Sequence, residues 1–101
     1  MSITRINTFE ARAGASDALG AFLTSILPLV AQAPGCRSCH VLRTQDNDHQ
    51  FIIIETWDAI ASHQAAAKLI PPETIAAVMP LLASPPSGRY YTPATEPTSR
   101  I

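Results

Sequence analysis

The amino-acid sequence predicts an α+β domain: a four-stranded antiparallel sheet in the order βαββαβ, with its helices on one face. Three observations predict it. Four short stretches rich in β-branched and aromatic residues lie near 3–10, 38–44, 51–57 and 87–92. Apolar residues recur at helical spacing between the first two stretches, and a second helical region lies between the last two. The middle two are separated only by the polar "QDNDHQ", a hairpin loop by composition. Right-handed crossovers fold that order into one sheet.

Each element has a local reason. "ITRINTFE" is a strand by its β-branched content. "ARAGAS" turns the chain, with Gly14 as hinge and Ser16 as a candidate helix cap. Leu19, Phe22, Leu23, Ile26 and Val30 then mark one helical face from Asp17 to about Ala33. Pro28 is expected to kink or break its last part. "APG" turns into "SCHVLRT", the second strand, and "FIIIETW" is the third. Asp58 can cap a helix over 59–69. "PP" at 71–72 interrupts it, and a second piece runs from about Glu73 to Leu82, with Pro80 disturbing its end. The last strand falls near 87–92. This gives one domain over 1–92 and a Pro-containing tail, 93–101, that is mobile or draped on a partner.

The chain has 101 residues, 47% hydrophobic and 15% charged. One domain fits that length. So apolar a composition in so small a domain points to apolar surface buried against a second copy. Strand three is apolar on both faces, with Ile52 and Ile54 pointing one way and Phe51 and Ile53 the other. Helices cover one face only. A second sheet would cover the other and give a two-fold dimer with a closed or nearly closed barrel. Formal net charge is −1 and no basic block exists, which argues against nucleic acid and anionic membrane as partners. No apolar stretch approaches a membrane span. "MSITRINTFEA" alternates like a strand and lacks the pattern of a secretory signal, so a cytoplasmic location with reduced cysteines is expected.

Candidate chemistry gathers at the end of strand three. Glu55 and Trp57 lie two apart and share a face with Phe51 and Ile53. Asn7 shares a face with Ile3, Arg5 and Phe9. If the uncovered face is the odd-numbered one, Asn7, Glu55 and Trp57 converge there. An amide, a carboxylate and an indole in an apolar enclosure make a small-molecule pocket. The competing reading makes Trp57 a core or dimer anchor. His63, six residues after Trp57, can point back over the pocket, although a lone helical His is more often structural or solvated than catalytic. Of the pair Tyr90–Tyr91, one faces the interior or the dimer seam.

"CRSCH", 36–40, fits the spacing of a covalent haem or redox motif. It opens a strand, however, and a redox motif begins a helix that lowers a thiol pKa. Strand alternation puts Cys39 and His40 on opposite faces, which argues against zinc. No G-x-G-x-x-G or Walker sequence is present, so no nucleotide cofactor is implied.

The segments "APGCRSCHVLRT", "FIIIETWDAIASHQAA" and "MPLLASPPSGRYY" carry a resemblance. Pro-Gly before strand two, Glu-x-Trp ending strand three, His six after the Trp and a leucine-rich segment before the last strand resemble the antibiotic biosynthesis monooxygenase domain family. The resemblance spans roughly residues 3–92. It implies a ferredoxin-like domain whose sheets pair into a dimeric α/β barrel, with a pocket between sheet and helices in each subunit. It also implies oxidation of a small aromatic or quinol-type compound by O2 without metal, flavin or haem. On it, His63 handles the proton, Trp57 stacks or donates its N–H, and Asn7 orients an oxygen. Glu55, Phe51, Ile53 and Tyr90 then bind substrate. Anthrone-oxidising relatives carry Asn where this chain has Ile53 and Tyr where it has His63. The haem-degrading branch carries a His where this chain has Ala67. Two other expectations share the same barrel: a binding module without turnover, and an isomerase of a small signalling compound.

Overall fold

The computed structural model describes residues 2–95. Its elements follow the expected order: β1 (Ile3–Glu10), α1 (Ser16–Ala31), β2 (Cys36–Arg43), β3 (Gln50–Trp57), α2 (Ile60–Ala67), α3 (Pro72–Val78), a 3-10 turn (Met79–Leu81) and β4 (Ser87–Tyr91). The sheet order is β2-β3-β1-β4, with every neighbouring pair antiparallel. This is the ferredoxin-like α+β arrangement. Most of the tail lies outside the described residues. Among them no helix is long and apolar enough to cross a membrane.

The two faces of the sheet differ in cover, and the odd-numbered one is the covered one. Along β3, Phe51, Ile53, Glu55 and Trp57 are buried while Ile52, Ile54 and Thr56 are half-buried. Leu19 and Leu23 of α1 and Val78 of α3 pack onto Phe51 and Ile53 to make the core. Asn7, Glu55 and Trp57 thus converge beneath the helices, not on the open face. The open face carries Ile6, Ile52, Ile54 and Leu42, paired across the strands.

Local details depart from expectation for identifiable reasons. Ser16 is the first helical residue of α1, and Ala15 takes the cap position without a side-chain hydrogen bond. The Ser16 hydroxyl instead meets His49 Nδ1 at 2.7 Å. Pro28 lies inside α1, which runs on to Ala31. Asp58 does not cap α2. Its carboxylate accepts from the Ser62 hydroxyl and its N–H donates to the Gly35 carbonyl, while Ala59 holds the cap position. Gly35 has φ +89, and a Cβ there would overlap Asp58 Oδ1 and Ser62. Glycine is therefore required both by backbone and by space. β2 starts at Cys36, earlier than expected, because a bulge between Cys36 and Ser38 lets it pair with Trp57.

Candidate functional site

A cavity of about 440 Å³ lies between the sheet and the helices, within the ~300–1,000 Å³ typical of small-molecule sites. Most of its wall is apolar: Phe9 and Ile53 from the sheet, Phe22, Leu23 and Ile26 from α1, Val78 from α3. Apart from Thr74 of α3, the polar lining groups form one cluster. β1 contributes Arg5 and Asn7, β3 contributes Glu55 and Trp57, and α2 contributes His63. Cross-strand register brings them together, with Arg5 opposite Glu55 and Asn7 opposite Ile53 on one neighbour, and Arg5 opposite Tyr90 on the other.

Glu55 is the centre of this cluster and is 4% exposed. The Trp57 indole N–H donates to its Oε1 at 2.9 Å. The Asn7 amide donates to its Oε2 at 3.2 Å. Burial raises the Glu55 pKa; the Trp57 hydrogen bond, the Arg5 charge and the Asn7 hydrogen bond oppose that rise without cancelling it. His63 Nε2 lies 3.8 Å from Glu55 Oε1. Its other nitrogen, Nδ1, is 2.6 Å from the Tyr90 hydroxyl. Burial first, then the Arg5 charge, lowers the His63 pKa. Both shifts favour the uncharged form, and at 3.8 Å the two groups are within ion-pair reach but beyond hydrogen-bond length. The His63 ring packs edge-on to Trp57 and to Tyr90, with centroids 5.6 Å and 5.3 Å away.

The structure brings together Asn7, Glu55, Trp57, His63 and Ile53, with Tyr90 attached through His63. Phe51 does not join them. It is buried against α1, its ring 3.1 Å from where a Gly20 Cβ would stand, and it does not line the cavity. Being two residues further from the polar end, it belongs to the core. Two donors are already committed. The Trp57 N–H is spent on Glu55, and Asn7 spans Glu55 and Arg5, whose Nε donates to Asn7 Oδ1 at 2.9 Å. Arg5 was not among the residues singled out by sequence. Its spacing of two from Asn7 was the available signal. Cys39 packs beside the core with its thiol pushed up to about 12, by burial first and then by the charges of Glu55 and Cys36. So high a pKa leaves little thiolate, the form that reacts. No group of three or more His, Cys, Asp and Glu among the described residues could hold a metal ion.

The helix-covered sheet thus encloses a largely apolar cavity of a size that suits a small molecule. The chain belongs to the antibiotic biosynthesis monooxygenase family, whose model matches residues 2–69. It is similar in structure to Rv0793 from Mycobacterium tuberculosis, at 22% identity and TM-score 0.82, covering 97% of this chain and 100% of that one. It is also similar to SnoaB, a cofactor-independent oxygenase from Streptomyces nogalater, at 21% identity and TM-score 0.78, covering 96% and 98%. A protein from Chloroflexus aurantiacus matches at 27% identity and TM-score 0.75, covering 97% and 98%. Comparison with curated protein sequences finds no match.

Proposed function

We propose that this chain is a homodimeric monooxygenase that oxidises a small aromatic or quinol-type compound with O2, the substrate itself supplying the electrons. The observation that carries this reading is the Glu55–His63–Tyr90 chain at the polar end of an apolar cavity. Family membership and the oxygenase named among the structural neighbours support it.

His63 is the group that meets the substrate's acidic proton. With Nδ1–H donated to the Tyr90 oxygen, Nε2 carries the lone pair that takes it. The imidazolium so formed stands beside Glu55, whose position is set by Trp57 and Asn7. These two are therefore positioning residues, and Glu55 stabilises the charge that develops on His63. The deprotonated ring reduces O2. The phenol C–OH and the C–H para to it become two C=O groups: one oxygen of O2 enters the C–H carbon, the other leaves as water with the phenol proton and that C–H hydrogen, and all four electrons come from the substrate. The apolar walls keep bulk water from the anion. Dimerisation would cover the open face of Ile6, Ile52, Ile54 and Leu42.

Oxygen uptake by metal-stripped protein against a panel of reduced quinols and anthrones tests the reading. Uptake above autoxidation is expected, falling by roughly 10²-fold in His63→Ala and less in Tyr90→Phe. Binding of panel members with no uptake would overturn the oxygenase and leave a binding protein.

A further inference from the structure

Arg5 is a cation in the cavity wall, and among the described residues it has no ion-pair partner. Its Nε is used on Asn7, and its guanidinium lies over the Tyr90 ring, 4.6 Å from the centroid. The ion pairs among the described residues are Arg43–Asp17, His49–Asp48 and His63–Glu55, so none of the described carboxylates lies within 4.0 Å of Arg5. Glu55 stands across the strand from it, yet Trp57 and Asn7 hold both Glu55 oxygens. The two Nη nitrogens make no hydrogen bond among the described residues. They are not sealed away either, since no fully buried side-chain N or O there lacks a partner.

The fold makes room for this guanidinium. Gly88 of β4 lies opposite Asn7, and a Cβ there would overlap Arg5 Nη2, Arg5 Cζ and Asn7 Oδ1. The strand passes the cation with bare backbone. A half-buried guanidinium with free N–H groups is matched by a planar oxyanion, carboxylate or phenolate, which its fork binds through two parallel hydrogen bonds or one.

We infer that the cavity selects an organic anion, its oxyanion on the Arg5 Nη groups and an apolar body of about two rings against Phe22, Ile26 and Val78. Arg5 is then the specificity residue and Gly88 its spacer. The inference rests on the same cavity as the oxygenase reading but is read by binding alone, so either can fail without the other.

Calorimetric titration of the full chain with matched probes tests it. The pairs are 2-naphthoate against 2-naphthamide, and 4-nitrophenol above and below its own ionisation. Wild type should bind at least one anion about 10–100-fold more tightly than its neutral partner. Arg5→Met should erase that preference while leaving the neutral probe within about threefold, and Arg5→Lys should keep part of it. Gly88→Ala should weaken the anion through the displaced guanidinium. Preference for naphthoate alone assigns a carboxylate, and preference for nitrophenolate alone assigns a phenolate. Equal affinity for charged and neutral probes in wild type, an equal loss of both in Arg5→Met, or no binding of any probe at millimolar concentration would overturn the inference. If Arg5→Met does not fold, the wild-type preference and Arg5→Lys decide it.

Discussion

Replacing Trp57 by Phe probes the cluster at its most enclosed point. Trp57 is fully buried, and its N–H donates to Glu55 Oε1 at 2.9 Å. Phe keeps an aromatic wall but removes that donor and leaves a small void. Loss of a hydrogen bond to a charged acceptor is worth about 1.5–3 kcal/mol, against about 0.5–1.5 for a neutral one. The void adds about 1 kcal/mol. The total is therefore about 2.5–4 kcal/mol where Glu55 is ionised and about 1.5–2.5 where it is protonated. The sign follows from linkage. Burial raises the folded-state pKa of Glu55, so its contribution to stability falls as pH rises from the unfolded value through the folded one. The Trp57 bond opposes that rise, and Trp57→Phe makes the fall steeper. Urea denaturation followed by far-UV circular dichroism at acid and neutral pH checks this. In a Glu55→Gln background the pH dependence of the Trp57→Phe cost should vanish. A cost equal at both pH values, or below about 0.5 kcal/mol, would refute the reasoning.

Other outcomes follow from the same geometry. Leu19→Ala, at a fully buried core position away from the cavity, should cost about 2–5 kcal/mol in urea denaturation and leave ligand affinity unchanged. Ile54→Asp, on the open face opposite Ile6 and His40, should convert the proposed dimer to monomer in sedimentation. A dimer that survives it would place the interface elsewhere. Cys39, with its thiol pushed up to about 12, should label with a thiol reagent at pH 8 roughly a thousandfold more slowly than a free thiol until urea unfolds the chain. Labelling of Cys39 at the free-thiol rate in folded protein would contradict its burial.

The element order was legible because strand and helix periods differ and the breaks fall at Gly, Pro and polar runs. Which face the helices cover was not. β3 is apolar on both faces, so alternation does not distinguish them. On β1 the odd positions include Arg5 and Asn7, which by ordinary patterning belong to solvent. They are on the helix-covered face because a cavity, rather than core, lies above them. The polar part of a cavity lining thus inverts the signal that identifies an inner face. Trp57, Glu55 and His63 could be linked from spacing, but the partners that fix their roles come from distant segments. Tyr90 reaches His63 across 27 residues, and Asn7 reaches Glu55 across 48. Arg5 gains its meaning only once Gly88 is seen beside it.

β1 occupies an interior position in the sheet although it is the first strand of the chain, and its partners begin at residues 50 and 87. Both of its ladders are long-range, which slows the search for the native topology. While a ribosome is still extending the chain, β3 can take one side of β1, but the other side stays unpaired until Ser87–Tyr91 has emerged. That exposed edge can recruit foreign strands. β4 therefore has two duties with one deadline. It supplies the Tyr90 hydroxyl that meets His63, and it shields a strand edge that would otherwise seed aggregation, so lesions in β4 should lower the yield of folded protein as well as the proposed activity.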